Sequence, residues 1–189
     1  MIFDEDIKNC LKTLKEGGVI LYPTDTVWGL GCDATNSKAV EKIFEIKSRS
    51  ESKGLIILVD SISMLERYVM EIPPIALDLI EVSDIPLTII YPNAKNLAIG
   101  IPADDGSVGI RICSDIFCAE LLRRYRRPIV STSANISGKS SPAYFEEISQ
   151  SIVDAVDYTV LYNREDRLKH KASPVIKVET NGEIKVIRK

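Results

Sequence analysis

Hydroxyl-bearing and charged side chains follow apolar runs at several places in this sequence, and these are the residues whose types and spacing allow chemistry. The first place is Thr24, Asp25 and Thr26, which come directly after "GVILYP". Each threonine hydroxyl can donate and accept a hydrogen bond. The same residues also suit a turn that is stabilised by the side chain of Asp25. Taken alone, "PTDT" is therefore consistent with a turn or with a binding site.

A group of cations occupies the segment "KSRSESKG". It contains Lys47, Arg49 and Lys53, with Glu51 as its only acid. Cations near a helix C-terminus stabilise the helix by a typical ~0.3–1 kcal/mol, and this explanation suits Lys47. Lys53 lies beyond the predicted helix end. Because arginine supplies a bidentate fork and lysine a mobile charge, the segment is also a candidate phosphate clamp.

The segment "STSANISGKSSP" is dense in short polar side chains after the apolar run "PIV". Its polar residues include Ser131, Ser133, Asn135, Ser137 and Ser141. Hydroxyl and amide groups of this kind can hold a carboxylate, a ribose or phosphate oxygens. A solvated connecting loop explains the composition equally well.

Arg111 stands among apolar residues in the predicted strand "VGIRI". An unpaired buried charge is costly, so Arg111 needs an anionic partner. That partner is either a carboxylate of the protein or a carboxylate of a ligand.

The composition indicates one globular domain, residues 1–189, with 45% hydrophobic and 27% charged residues. No apolar run approaches the roughly 20 residues that span a membrane. The acidic N-terminus argues against a signal peptide, so we expect a cytoplasmic protein. With a net charge of −3, any nucleotide site must be a local basic pocket.

The cysteines and the only histidine do not predict a metal site or a hydrolytic triad. Cys10, Cys32, Cys113 and Cys118 contain no CxxC pair, and we expect free, mostly buried thiols. His170 lies in the basic stretch "RLKHK". Neither GxxxxGK[ST] nor GxGxxG occurs, so a nucleotide would be held by scattered side chains.

A basic cluster, "RRYRRP", has two interpretations. Its cations are Arg123, Arg124, Arg126 and Arg127. Such a cluster can bind nucleic acid. It also lies at a predicted helix C-terminus, where the helix dipole favours positive charge.

The hydrophobic periodicity predicts an α/β fold with a mixed sheet, because helices and strands alternate and a hairpin closes the chain. A helix capped by Asp4 or Asp6 opens it, and Asn181-Gly182 is the strongest hairpin signal. Helices are predicted at about 4–16, 36–49, 61–70, 73–82, 114–126 and 144–150. Strands are predicted at about 19–22, 27–34, 54–60, 86–91, 108–112, 128–134, 157–163, 174–180 and 183–188.

Five segments, in this order, resemble the YrdC-like family, the threonylcarbamoyl-AMP synthases that begin the threonylcarbamoyladenosine modification of tRNA. They are "YPTDTVWGLGCDA", "KSRSESKGLIILV", "PLTIIYP", "VGIRI" and "STSANISG". The resemblance implies the minimal single-domain form of the family: a twisted mixed parallel/antiparallel sheet, flanked by helices, with a basic concave surface. It implies a nucleotidyltransferase that condenses L-threonine, bicarbonate and Mg²⁺-bound ATP to threonylcarbamoyl-AMP and pyrophosphate. A separate threonylcarbamoyl transferase complex would then modify tRNA.

The resemblance also assigns site residues. On the nucleotide it places Lys47, Arg49, Lys53, Ser133, Asn135, Ser141 and Arg188. On L-threonine it places Thr26, Arg111, Ser131 and Ser173. It gives no protein ligand for a metal, and no residue is assigned as general base.

Departures from the family pattern leave alternatives open. Cys113 stands where the family usually has proline, Pro174 replaces a usual threonine, and "NREDRLKHKA" lacks a Gly-rich pattern. One alternative is a non-catalytic paralogue that binds tRNA or other RNA on its basic surface. Another is the chemistry of the YrdC-like domain in hydrogenase-maturation carbamoyltransferases, which are larger chains with zinc-finger-like cysteines that this sequence lacks.

Overall fold

The computed structural model describes residues 2–48, 55–168 and 170–189. The helices are α1 Asp4–Lys15, α2 Ser37–Lys47, α3 Ile62–Leu65, α4 Pro74–Val82, α5 Ile116–Tyr125 and α6 Gln150–Val153. The first strands are β1 Ile20–Tyr22, β2 Gly29–Gly31, β3 Ile56–Val59, β4 Thr88–Tyr91 and β5 Val108–Ile112. The later strands are β6 Ile129–Val130, β7 Thr132–Ser133, β8 Tyr158–Thr159, β9 Val175–Val178 and β10 Ile184–Arg188.

The strands form two mixed sheets, where the periodicity predicted one. One sheet has the order β7-β2-β1-β8 and the other β10-β9-β4-β5-β3-β6. Parallel pairs (β1 with β8, β3 with β5, β4 with β9) combine with antiparallel neighbours in both sheets. The predicted mixed α/β architecture is therefore confirmed, and the number of sheets is corrected.

The two sheets meet where the predicted strand 128–134 divides. Ile129 and Val130 pair with β3, whereas Thr132 and Ser133 pair with β2. Between them, the backbone N–H of Ser131 donates to the carbonyl of Ile56 at 2.8 Å. The sequence of residues 128–134 does not reveal that the strand passes from one sheet to the other. Both parts of the run are extended and form strand hydrogen bonds, so both have the same local pattern. The division places Ser131 at the junction.

Close packing between β1, β2 and β6 depends on Gly31. The hydroxyl of Tyr22 donates to the carbonyl of Val130 at 3.1 Å. A Cβ atom on Gly31 would lie 2.6 Å from a ring carbon of Tyr22 and 2.9 Å from the Val130 carbonyl oxygen. Only glycine fits there without moving the strand that leads to the junction.

The helix boundaries follow side-chain caps at two places and depart from prediction at a third. Asn36 caps α2, where its side chain accepts from the backbone N–H groups of Lys38 and Ala39. The predicted capping of α1 by Asp4 or Asp6 is wrong, because Phe3 occupies the N-cap position. Asp115 caps α5, where its side chain accepts from two backbone N–H groups of the first turn.

Asp6 has a tertiary role in place of capping. It is buried within α1 and accepts hydrogen bonds from the Tyr158 hydroxyl at 2.6 Å and from the backbone of Leu161 at 2.9 Å and Tyr162 at 2.8 Å. The helix is thereby held against the segment that follows β8.

The expectations for the cysteines and for the C-terminal hairpin are confirmed. All four cysteines are free and buried. The C-terminal hairpin forms, with β9 antiparallel to β10 and Gly182 at a φ of 84° in the turn. Over the ranges that the structure describes, no helix has the length and apolar character to cross a membrane.

Candidate functional site

A cavity of about 270 Å³ opens where the two sheets meet. Hydroxyl groups and two arginines line it, together with a small apolar wall. The lining residues are Thr26, Val27, Gly29, Leu55, Ile56, Arg111, Ser131, Thr132, Ser133, Ser141, Ala172, Ser173 and Arg188.

The structure brings most of the predicted site residues together on this cavity. They are Thr26, Arg111, Ser131, Ser133, Ser141, Ser173 and Arg188. Lys47 and Asn135 are not on its lining. Arg49 and Lys53 lie outside the described residues, so their assignment stays a prediction.

The "PTDT" loop presents one threonine hydroxyl and uses the other to hold its own shape. The Thr24 hydroxyl donates to the Val27 carbonyl at 2.8 Å and accepts from the Thr26 backbone N–H at 3.1 Å. The two threonine hydroxyl oxygens lie 3.0 Å apart. A hydroxyl has one hydrogen, and that of Thr24 goes to Val27, so Thr26 is the donor in this pair. The oxygen of Thr26 thus keeps acceptor capacity on the cavity side.

Arg111 and Asp25 form a buried pair behind this loop. Arg111 is 4% exposed, and its Nη2 lies 3.0 Å from Asp25 Oδ1. The pair lacks hydrogen-bond geometry: within the described chain, neither Asp25 oxygen makes a hydrogen bond, nor do Arg111 Nε and Nη2. Burial raises the pKa of the Asp25 carboxyl, against the opposing effect of Arg111. Asp25 thus balances the charge of Arg111 behind the loop, and Arg111 also lines the cavity.

Arg188 brings a second guanidinium to the same cavity. Its Nε and Nη2 donate to the Ser173 carbonyl at 3.0 and 2.8 Å. Burial lowers the pKa of Arg188, and the positive charge of Arg111 lowers it further. No carboxylate is among the described lining residues. An anionic ligand would relieve this repulsion.

Lys47 and Asn135 support the loop that follows β7. Lys47 is 3% exposed, and its ammonium donates to the carbonyls of Ser133 at 2.6 Å and Asn135 at 2.7 Å. The amide of Asn135 donates to the Lys139 carbonyl at 2.6 Å, and its oxygen accepts a short hydrogen bond from the Ser133 hydroxyl. Both residues therefore shape the loop that carries Ser133, and their contact with a nucleotide remains a prediction.

Sequence reasoning missed part of the lining and one supporting residue. Gly29, Leu55, Ile56 and Thr132 line the cavity because they lie at strand ends beside the junction. Thr132 could have been predicted, because it lies between Ser131 and Ser133 in the sequence. Asp25 was assigned to the shape of its loop, and its contact with Arg111 is long-range, so no local pattern indicates it.

The arginine cluster at the end of α5 is largely paired with carboxylates. Arg123 and Arg124 both donate to Glu120, at 2.8 and 2.5 Å, and Arg127 donates to Asp33 at 3.0 Å. These contacts favour the helix-end interpretation over a nucleic-acid site, because Arg123, Arg124 and Arg127 already pair with carboxylates of the protein.

The only histidine lies beside the "PTDT" loop, away from the lining of the main cavity. His170 Nε2 is 3.1 Å from Asp166 Oδ2, and both residues border a narrow cleft with Thr24 and Thr26. Among the described residues, no group of three or more histidine, cysteine or acidic side chains is placed to hold a metal ion.

The geometry defines a class of protein: an α/β domain with a cavity between two mixed sheets that hydroxyl groups and two arginines line. A model of the Sua5/YciO/YrdC family, described as "Telomere recombination", matches residues 12–189. The chain belongs to this family, and the recognition from its five segments is confirmed.

Relatives extend this comparison. The threonylcarbamoyl-AMP synthase of Psychromonas ingrahamii is 34% identical over 153 residues, which are 79% of this chain and 80% of the relative. The crystal structure of P. abyssi Sua5 complexed with L-threonine is 31% identical with a TM-score of 0.84, over 92% of this chain and 51% of that one. This chain thus spans about half the length of the P. abyssi protein.

A third likeness concerns the fold alone. The crystal structure of E. coli YciO superimposes with a TM-score of 0.84 at 24% identity, over 98% of this chain and 89% of the other. The two-sheet architecture is therefore found in a chain of similar length.

Proposed function

We propose that this protein is an L-threonylcarbamoyladenylate synthase, a nucleotidyltransferase that condenses L-threonine, bicarbonate and ATP. The observation that carries the proposal is the guanidinium of Arg111, which lines a hydroxyl-rich cavity together with Arg188, while the described lining of that cavity holds no carboxylate. Such a group suits a small carboxylate ligand. Relatives named threonylcarbamoyl-AMP synthase and the L-threonine complex of P. abyssi Sua5 support the choice of ligand.

The amino-acid end of the site comprises Thr26, Arg111, Ser131 and Ser173. Arg111 would bind the threonine carboxylate, since a guanidinium fork matches two carboxylate oxygens. The Thr26 oxygen, already donating its hydrogen to Thr24, would accept from the threonine amino group. The small apolar wall of Leu55 and Ile56 is suited to the methyl group of the substrate.

The nucleotide end would comprise Ser133, Ser141 and Arg188, which line the cavity. We assign Lys47, Arg49, Lys53 and Asn135 to the same end, by resemblance. Mg²⁺ would enter with the triphosphate of ATP and neutralise part of its charge, because Mg²⁺ often binds through substrate phosphates and water. The cationic and hydroxyl lining suits the phosphates that would carry the ion, and the described lining has no carboxylate that could hold it.

The reaction concentrates negative charge, which the arginines and hydroxyl donors of the lining would stabilise. The threonine nitrogen attacks the carbon of bicarbonate, water leaves, and a carbamate forms. A carbamate oxygen then attacks the α-phosphorus of ATP and pyrophosphate leaves. The described lining offers no group that titrates near neutral pH, since its arginines stay protonated, so the protein would act by positioning and charge stabilisation.

The product would be consumed by a separate threonylcarbamoyl transferase that acts on adenosine in tRNA. A mixed anhydride of carbamate and phosphate is reactive towards nucleophiles. It therefore needs a downstream acceptor, which this cavity does not contain.

Calorimetric titration tests the ligand assignment. L-threonine should bind, alone or with ATP present, while L-valine, which replaces the hydroxyl by a methyl group, should bind at least about tenfold more weakly. Failure of threonine to bind under both conditions would overturn the proposal.

A further inference from the structure

We propose that Thr88 is a positioning residue of this site: its hydroxyl donates to Ser173 and so directs the Ser173 hydrogen into the cavity. Thr88 itself does not line the cavity. The inference rests on the proposed function, because Ser173 is assigned to the threonine end of the site.

The geometry joins a fully buried strand residue to the cavity wall. Thr88 is 0% exposed at the start of β4, and its Oγ1 lies 2.7 Å from Ser173 Oγ. The Thr88 backbone N–H donates to the carbonyl of Pro174 at 3.1 Å. Two contacts, one through the backbone and one through the hydroxyls, therefore fix the chain at residues 173 and 174.

Counting hydrogens sets the direction of the hydroxyl contact. Each of the two hydroxyls has one hydrogen to donate. If Ser173 donated to Thr88, the Thr88 hydrogen would be buried without any acceptor that the described structure shows, an arrangement that costs about 1–3 kcal/mol. If Thr88 donates, its buried hydroxyl hydrogen has an acceptor, and the Ser173 hydrogen remains available to a ligand oxygen.

Ser173 also links Thr88 to the second arginine of the site. The Ser173 carbonyl accepts both hydrogen bonds from Arg188. A residue that fixes Ser173 thus fixes a hydroxyl donor and the acceptor that orients a guanidinium. We expect Thr88 to act on threonine binding through the hydroxyl, and more weakly on the nucleotide through Arg188.

Thr88→Val tests the inference, since valine keeps the branched shape and removes the hydroxyl. Its Kd and KM for L-threonine should rise roughly three- to tenfold, with kcat changing less than about twofold. Thr88→Ser, which restores the hydroxyl, should return the threonine Kd to within about twofold of wild type.

A double-mutant cycle separates this role from a structural one. If Thr88 acts through Ser173, Thr88→Val should have no further effect on threonine Kd in a Ser173→Ala background. Independent, multiplicative effects would overturn the inference, as would wild-type threonine binding by Thr88→Val.

A replacement variant and a wild-type control complete the test. Should Thr88→Val fail to fold, Thr88→Cys takes its place, because a thiol is a weak donor of similar size. If the wild-type protein itself neither binds threonine nor forms the adenylate, the proposed function fails and the inference fails with it. If wild type is active and Thr88→Val is unchanged, only the inference fails.

Discussion

Arg111 is the residue whose identity matters most to the proposed chemistry. It is buried against Asp25 at 3.0 Å and also lines the cavity. Lysine could balance the charge of Asp25, but it could not also offer a planar fork to a ligand. The contact with Asp25 therefore explains why arginine is tolerated in a strand, and its place on the cavity lining fits the proposed role.

Arg111→Lys should weaken L-threonine binding at least about tenfold while the protein stays folded, because the charge is kept and the fork is lost. Calorimetry measures the Kd. The matched control is Arg123→Lys, whose side chain is 66% exposed on α5 and pairs with Glu120. Wild-type affinity in Arg111→Lys would contradict the assignment of this residue to the carboxylate.

At the scale of elements, the loop after β7 depends on a cation that lies beneath it. Lys47, the last residue of α2, donates to the carbonyls of Ser133 and Asn135. The sequence offered two explanations for Lys47, a helix C-terminal charge and a phosphate ligand. The structure adds a third, in which the ammonium ties one element to the loop of another.

Lys47→Met should destabilise the protein by about 2–4 kcal/mol, since it leaves two carbonyls without their charged donor. Hydrogen–deuterium exchange should quicken over residues 131–141, and the KM for ATP should rise. Lys38→Met, at an exposed position of the same helix, should change the unfolding free energy by less than about 0.5 kcal/mol. Equal stability of the two variants would show that the loop does not depend on Lys47.

Asp33 connects the end of β2 to the end of α5. It is 2% exposed and accepts from Thr35, from the Tyr125 hydroxyl and from Arg127. Burial alone would raise the pKa of its carboxyl, but these hydrogen bonds outweigh burial and lower the pKa. The lowered pKa means that the ionised form stabilises the fold above the ordinary pKa of aspartate, and that this contribution is lost as the pH falls through the folded-state pKa.

Asp33→Asn should therefore cost about 2 kcal/mol at neutral pH, and the difference from wild type should shrink as the pH falls below about 4. Urea unfolding across that pH range measures both quantities. Asp104→Asn, at an exposed position, is the control and should keep the wild-type pH dependence. A difference that stays constant with pH would contradict the role of the ionised carboxylate.

Several elements, and seven of the residues that line the cavity, could be predicted, for different reasons. Periodicity and caps such as Asn36 are local signals, and they gave α2 and the C-terminal hairpin correctly. The division of strand 128–134 at Ser131 and the contact of Asp25 with Arg111 depend on distant parts of the chain. No local pattern contains that information, so the two-sheet arrangement and the ion pair were not predicted.

At the scale of the whole molecule, the arginines lie in two different electrostatic environments. The chain has a net charge of −3, and the arginines at the end of α5 are mostly paired with acids. In the cavity, Arg111 and Arg188 share one space and the described lining has no acid. The field of the protein therefore favours a small anion in the cavity over a polyanion on the surface.

Replacement of Arg123 and Arg124 by glutamine should leave tRNA affinity unchanged at physiological salt, because both side chains already pair with Glu120. Filter binding over a range of salt concentrations measures this. A large loss of affinity, together with a shallower salt dependence than wild type, would favour the alternative of an RNA-binding paralogue.

The most direct test of the proposed synthase activity follows two labels into one product. Purified protein is supplied with Mg²⁺-ATP, ¹³C-bicarbonate and ¹⁵N-threonine, and the nucleotides are analysed by mass spectrometry. We predict an adenylate that carries both labels, formed in step with pyrophosphate and strongly reduced in Arg111→Lys. Pyrophosphate release that does not depend on threonine, or an adenylate without the bicarbonate carbon, would contradict the proposed function.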